Sequence, residues 1–245
     1  MAVAVAVILG FTAVTGCTLG NFWVDLTWSV LWILLPLLVV LALFLAWQSV
    51  SQTPQGAVTA TGVEGAEQII ARGPAAAQIA IEQLGTNGGG FFGVKSEHPF
   101  ENPTIASNLA QCLPILLIRG ALCFLFGQMA GDRRQGWAIF AAMAVMSVAG
   151  LAVIHVHEGA GNPSLGLGAN MESKDPRFGA MLSALWAASF TATSNGSVNA
   201  MHDSFTPLSG RVLMVFLQIG ALTFCPVLAL GPIAEETTRI AGQSF

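Results

Sequence analysis

Apolar and polar stretches alternate along the chain, and the apolar ones fall into two length classes. About 20 apolar residues are needed for a helix to cross a lipid bilayer. The long stretches are residues 28–47, 105–126, 137–156 and 211–230. Two others, residues 74–85 and 179–193, are too short to cross, so the pattern predicts re-entrant helices that enter and leave on one side.

Each short stretch ends in a glycine-centred loop. The first loop is Thr86-Asn87-Gly88-Gly89-Gly90, and the second is Ser194-Asn195-Gly196-Ser197. A histidine and a proline follow each loop at the same spacing, as His98 with Pro103 and His202 with Pro207. The order span, short helix, loop, span therefore occurs twice, with Gly88 and Gly196 about 108 residues apart, and such repeats dictate architecture. The predicted fold is an all-α membrane protein of repeated span–re-entrant pore helix–span units.

The composition strengthens the membrane assignment. Hydrophobic residues make up 54% of the chain, charged residues 9%, and the mean hydropathy is +0.69. Soluble domains carry about 25% charged residues. We therefore predict an integral membrane protein in contact with lipid, and the net charge of -4 argues against nucleic acid as a partner.

The charge pattern gives an orientation. Arg133 and Arg134 lie in a short turn, which the positive-inside rule places in the cytoplasm. Both glycine loops then enter from the outer side, where acids outnumber bases. That face either attracts cations or is an ordinary solvated surface. Its charged residues would be Glu64, Glu67, Arg72, Glu82, Lys95, Glu97, Glu101, Glu158, Glu172, Lys174, Asp175, Arg177 and Asp203.

The glycine loops are the candidate site. Backbone carbonyls can replace the water around an ion without adding net charge, so the ion can leave again. The carboxyl ends of the short helices point at the loops and favour a cation. We predict a cation site at Thr86, Asn87, Gly88, Gly89, Gly90, Ser194, Asn195, Gly196 and Ser197, with Thr and Ser hydroxyls adding oxygens and Asn87 and Asn195 bracing the loops. The alternative is that the glycines serve helix packing or simple turns.

The polar residues after the loops have two interpretations. They either line a cation-attracting entrance and brace the loops from behind, or they cap helices and hydrogen-bond at the interface. The set is His98, Glu101, Asn102, His202 and Asp203. Arg119 interrupts a predicted span, where a charge is costly and usually functional or paired, and the sequence does not name its partner.

Nucleotide chemistry has little support. Gly88 to Gly93 has the GxxxxG spacing, but Val94 separates it from Lys95-Ser96, and no hydrophobic strand precedes it. The chain also lacks an Asp-Lys-Thr-Gly phosphorylation sequence. We predict that this chain does not hydrolyse ATP by itself.

Several long strings resemble one known family, the potassium-binding subunit of the Kdp-type potassium-transporting P-type ATPase. The strings are Leu84-Gly-Thr-Asn-Gly-Gly-Gly-Phe-Phe92, His98-Pro-Phe-Glu-Asn-Pro-Thr104, Gly131-Asp-Arg-Arg-Gln-Gly136, Ala200-Met-His-Asp-Ser-Phe-Thr-Pro-Leu208, Leu19-Gly-Asn-Phe-Trp-Val-Asp-Leu26 and Gly161-Asn-Pro163. The resemblance implies a multi-pass protein of the bacterial inner (plasma) membrane, in the potassium transporter superfamily. It also implies that the loops bind and translocate a potassium ion from the outer side in a high-affinity uptake pump. A separate catalytic ATPase subunit and small accessory subunits would be its partners.

The chain departs from that family pattern in its number of units. The family has four pore units, and this chain resembles the second and third, with residues 1–11 like the tail of the first and a jump near Gln218. The implied division is 1–27, an N-terminal remnant helix and cytoplasmic loop; 28–130, a first pore unit with its filter at 86–90; 131–231, a second with its filter at 194–198; and 232–245, a tail. A homodimer would restore four loops. The alternatives are a passive channel-like or Trk/Ktr-like potassium pore protein, and a non-functional remnant.

Overall fold

A computed structural model describes residues 1–12, 21–86, 90–93, 96–161 and 168–222. Within these ranges, three helices are long and apolar enough to cross a membrane: Phe22–Trp47, Ile105–Met129 and Arg133–Ala160. The prediction of an all-α membrane protein is confirmed, with one small β-hairpin added. The elements in chain order are α1 (Ala2–Thr12), α2 (Phe22–Trp28), a π-helical segment (Ser29–Leu34), α3 (Leu35–Trp47), β1 (Val58–Thr61), β2 (Glu67–Ile70), α4 (Ala75–Gly85), α5 (Ile105–Met129), α6 (Arg133–Ala160), α7 (Gly179–Ala192), a 3-10 turn (His202–Ser204) and α8 (Pro207–Leu222).

The first spanning helix begins at Phe22, earlier than the predicted residue 28. Asn21 explains this start, because its side-chain oxygen accepts the N–H groups of Trp23 at 3.1 Å and Val24 at 3.3 Å. Pro36 brings no N–H to the helix, and the wider π-helical segment lies immediately before α3. The π-helical segment joins α2 to α3, so the three elements form one continuous helix, Phe22–Trp47.

The polar segment predicted to be a plain loop at residues 49–72 contains an exposed hairpin. Strands β1 and β2 are antiparallel, with Val58 opposite Ile70 and Thr61 opposite Glu67. Gly65 takes a φ of +78° in the connecting turn, a conformation that glycine adopts without steric cost. The turn has the sequence Gly62-Val63-Glu64-Gly65. The prediction of a plain loop missed the pairing of the strands on either side of this turn.

Each short helix packs between two other helices of its unit. In the first unit, defined as α2 to α5, helix α4 buries Ile79 and Ala80 against Leu45 of α3 and Ile118 of α5. In the second unit, defined as α6 to α8, helix α7 buries Ala184 and Ala187 against residues of α6 and α8. Those residues are Ile154 of α6 and Leu213 and Phe216 of α8. The two units thus repeat one packing scheme.

A third apolar cluster joins the units. Cys112 and Ile115 of α5 pack on Trp186 and Phe190 of α7, whose rings stack with centroids 4.1 Å apart. Helices α5 and α6 also approach closely through glycines. A Cβ on Gly127 would lie 2.7 Å from the backbone nitrogen of Gly136, so neither position has room for a side chain.

The predicted last span is described only in part. Helix α8 covers Pro207–Leu222, and residues 223–245, which include the rest of that span and the predicted tail, lie outside the described residues. The short predicted stretches at 74–85 and 179–193 match α4 and α7 closely. Helix α6 begins at Arg133, inside the predicted turn, because Asp132 caps it by accepting the N–H of Arg134 at 2.9 Å.

Candidate functional site

The two glycine loops begin with the same backbone turn. Thr86 follows α4 with φ at +57°, and Ser194 follows α7 with φ at +56°. Left-handed backbone is uncommon for residues other than glycine. Each of these residues stands two positions before the loop's central glycine, Gly88 or Gly196. Asn87, Gly88 and Gly89 lie outside the described residues, and Gly90 is half-buried.

The second loop is held by its own backbone and by one amide side chain. The N–H of Asn195 donates to the carbonyl of Phe190 at 3.0 Å, and the N–H of Ser194 donates to Thr191 at 3.1 Å. The side-chain oxygen of Asn195 accepts the N–H of Ser197 at 3.0 Å. Gly196 lies between them with φ at +77°. Asn195 and Ser197 are buried, whereas Ser194 is half-buried and Gly196 is exposed.

Glu101 holds the segment that follows the first loop. Its side chain is fully buried, and its two carboxylate oxygens accept the N–H groups of Phe92 at 2.7 Å and Ser96 at 2.6 Å. Such charge-assisted bonds are about twice as strong as neutral ones. The carboxylate therefore faces the backbone of the loop's exit and braces it.

A chain of buried amides extends this brace to the helices. Gln83 of α4 donates to the side-chain oxygen of Gln111 of α5 at 3.0 Å, and the hydroxyl of Ser96 donates to the same oxygen at 2.8 Å. Gln111 in turn donates to the carbonyl of Glu101 at 3.1 Å. Helix α4, the segment after the first loop and helix α5 are thereby tied together.

Asn102 belongs to a second buried network, which crosses between the units. Its amide donates to the side-chain oxygen of Asn108 at 2.9 Å, and Asn199 donates to that same oxygen at 3.0 Å. Arg177 donates to the carbonyl of Asn102 at 2.9 Å. Asn108 and Asn199 were not predicted as site residues. The signal for Asn108 was a polar residue inside a predicted span.

Glu158 holds the segment that follows the second loop. Its carboxylate lies 3.1 Å from the ammonium of Lys174, and both side chains are fully buried. The N–H and hydroxyl of Thr206 donate to Glu158 at 2.8 Å, and Asn170 also donates to it at 2.8 Å. Lys174 lies 4.4 Å over the ring of Phe205. The ion pair thus anchors the chain between the second loop and α8.

Burial corrects the expected acidic outer face. Glu82, Glu101 and Glu158 are buried, and so is Lys174, so these four charges do not belong to a solvated surface. Glu64, Glu67, Glu172 and Asp203 are exposed. Asp175 is half-buried, and its hydrogen bond from Arg177 holds the pKa of its carboxyl below the ordinary value.

The two histidines after the loops pack on aromatic rings of their own segments. His98 stacks on Phe92 with ring centroids 4.9 Å apart, and its Nδ1 accepts the N–H of Phe100 at 3.2 Å. His202 lies 6.3 Å from the ring of Phe205, and burial lowers the pKa of its imidazole. Asp203, the next residue along the chain, is exposed.

Arg119 has a partner that the sequence did not name. Its guanidinium is half-buried on α5, and its Nη2 donates to the backbone carbonyl of Thr193, the residue between α7 and Ser194. The hydroxyl of Thr193 donates to the carbonyl of Ser189 at 2.8 Å. A cation of the first unit therefore contacts the base of the second loop.

Comparison with known proteins gives a consistent family. A sequence model of the potassium-transporting ATPase A subunit matches residues 1–221. Proteins named potassium-transporting ATPase potassium-binding subunit are similar to this chain. The one from Rhodospirillum centenum is 53% identical over 230 residues, covering 91% of this chain and 40% of the relative. The one from Mesorhizobium japonicum is 52% identical over 224 residues, covering 90% and 40%. The chain thus spans about 40% of the length of these relatives.

Proposed function

The chain belongs to the potassium-transporting ATPase A subunit family, and on that premise we propose that it binds and translocates potassium in an ATP-driven uptake pump. In this proposal the two glycine loops supply backbone carbonyl oxygens to the ion from the outer side of a bacterial inner membrane. A catalytic ATPase subunit with small accessory subunits supplies the energy. The two pore units that we propose bind and translocate the ion are residues 28–130 and 131–231.

The observation that carries the proposal is the matched pair of left-handed turns at Thr86 and Ser194. Both turns follow short helices with many buried residues, and both lead into an Asn-Gly sequence. A turn of this kind ends a helix and redirects the chain. Irregular backbone at membrane depth is tolerated where it lines a cavity or is buried in protein, which fits an ion site.

The electrostatics of the loops favour a cation over an anion. The carboxyl ends of α4 and α7 carry the negative ends of their helix dipoles. Within the second loop, residues 194–197, the described hydrogen bonds come from backbone groups and the Asn195 amide, and uncharged oxygens of this kind can coordinate an ion without trapping it by full charge. We propose the roles as predicted: carbonyls from 86–90 and 194–197 as ligands, and Glu101 and Asn102 as braces.

Rubidium uptake tests the transport proposal. The chain is expressed in cells that lack other potassium uptake systems, with and without the ATPase subunit, at micromolar external potassium. Uptake that requires the ATPase subunit supports the pump, and uptake without it favours a passive pore. Absence of uptake in both arms contradicts transport by this chain.

A glycine substitution tests the site. Gly196→Asp puts a side chain at a φ of +77° and a carboxylate in the loop, so we expect selectivity for potassium over sodium to fall at least about tenfold. The matched control is Gly56→Asp, at an exposed position where an added Cβ meets nothing within 4 Å. Potassium-dependent thermal stabilisation of the purified chain reports binding directly. Unchanged selectivity in Gly196→Asp would refute the assignment of the second loop.

A further inference from the structure

Arg119 is a fixed positive charge at the second loop that the proposed function does not use. It lies within the spanning helix α5, where placing a charge is costly. Its Nη2 donates to the carbonyl of Thr193, which directly precedes Ser194. A charge retained in such a position needs an explanation beyond filling space.

The carbonyl of Thr193 differs from its neighbours at the end of α7. The carbonyls of Ser189, Phe190 and Thr191 accept N–H groups from the residues that follow them in the chain. Thr193, by contrast, receives a side chain from the other unit. The guanidinium therefore stands at the negative end of the α7 dipole, the same end that would attract potassium.

The two loops differ in what α5 presents to them. Toward α4, helix α5 presents the neutral amide of Gln111, which bonds to Gln83 at 3.0 Å. Toward α7, it presents the guanidinium of Arg119. The same helix thus contributes an uncharged contact to one pore helix and a full positive charge to the other.

We propose that Arg119 sets the potassium affinity of the second loop by holding it below the affinity that the loop would have alone. This inference rests on the proposed function, namely that the loop binds potassium. Two cations near one helix terminus repel each other, and one of them is covalently fixed. From the usual strength of charges at helix ends, the fixed charge weakens binding about three- to tenfold. A weaker site also releases its ion more readily, which translocation requires.

The competing role is purely structural, since a basic side chain can satisfy the last carbonyls of a helix. The two roles separate in a neutral hydrogen-bond donor. Glutamine at position 119 keeps donor groups but carries no charge, while lysine keeps the charge. If Arg119 only caps α7, the donor is what matters. If it sets affinity, the charge is what matters.

The experiment titrates the purified full chain with potassium chloride, replaced by choline chloride to hold ionic strength constant, and follows thermal unfolding. The variants are Arg119→Gln, Arg119→Met and Arg119→Lys. The control is Arg133→Gln, which removes an exposed charge at the start of α6. We expect Arg119→Gln and Arg119→Met to lower the half-saturating potassium concentration about three- to tenfold, with Arg119→Lys and the control within about twofold of the unsubstituted chain.

Each outcome decides the inference. Equal half-saturating concentrations in Arg119→Gln and the unsubstituted chain overturn it and leave the proposed function standing, because the unsubstituted chain still responds to potassium. Loss of folding in both Gln and Met variants assigns Arg119 to capping and also overturns it. Failure of the unsubstituted chain to respond to potassium overturns the proposed function, and this inference with it.

Discussion

The two units solve the same problem in different ways. Each must hold the segment that follows its glycine loop, and each does so with a fully buried glutamate. In the first unit, Glu101 comes from the segment itself and accepts two backbone N–H groups. In the second, Glu158 comes from the preceding spanning helix and pairs with the buried Lys174.

The two carboxylates differ in the charge of the partner groups that would stay buried if the carboxylate were removed. In the described part of the chain, the hydrogen-bond partners of the Glu101 carboxylate are neutral groups that bring no charge of their own. The partner of Glu158 is an ammonium group that would remain buried. Two glutamates with similar roles can therefore have unequal energetic consequences, because the cost of losing each one depends on its partners.

The largest effect is expected for Glu158→Gln. The substitution keeps the side-chain size but leaves the Lys174 ammonium without its carboxylate, and breaking a buried ion pair in this way costs about 3–5 kcal/mol. Thermal unfolding in mild detergent measures the loss. Adding Lys174→Met should recover part of it, since no buried charge then remains. A Glu158→Gln protein as stable as the unsubstituted chain would remove the basis of the comparison.

A smaller effect is expected for Glu101→Gln. The amide offers one oxygen where the carboxylate offered two, so the bond to Phe92 or to Ser96 is lost and the other is no longer charge-assisted, at a cost of about 1.5–3 kcal/mol. The same unfolding assay applies, with the exposed Glu64→Gln as a control of no expected effect. If Glu101→Gln destabilised the protein more than Glu158→Gln, the ranking of the two braces would be wrong.

The smallest effect concerns the feature that the units share. Thr86→Gly and Ser194→Gly relieve the strain of left-handed backbone, offset by the greater freedom of glycine in the unfolded chain, so each should stabilise by about 1 kcal/mol or less. Thr86→Gly should gain more, because threonine is β-branched. Ser183→Gly, inside α7, is the contrast, and should destabilise by about 0.5 kcal/mol. If Thr86→Gly, Ser194→Gly and Ser183→Gly destabilised the protein by similar amounts, the assignment of strained left-handed backbone to residues 86 and 194 would be contradicted.

The fold was largely predictable because its elements are set locally. Helices α4, α5 and α7 follow the predicted stretches within a few residues, since hydrophobic length and the glycines that end it are both visible in the chain. The hairpin at β1 and β2 was missed because each strand has only 4 residues and both are largely exposed, which leaves too little apolar pattern to detect. The early start at Phe22 was missed because it depends on the cap at Asn21.

From the sequence we chose the loop residues and, among the residues that hold the loops, Glu101 and Asn102, while the other supports were missed. Thr86, Ser194 and Gly196 could be chosen from the sequence because turns and glycines mark special backbone. Glu158 was expected on a solvated face, and the structure buries it against Lys174. Asn108 and Asn199, which meet across the units, carry no local signal that pairs them.

By itself, the sequence determined the membrane class, the spanning and short helices, the two glycine loops and the family resemblance, because length, hydropathy and motif are properties of neighbouring residues. Tertiary structure alone decided which groups face each other. Arg119 reaches Thr193, 74 residues away, only because α5 packs on α7. Such contacts depend on how the helices pack, and a buried charge is stabilised by whichever partner that packing delivers.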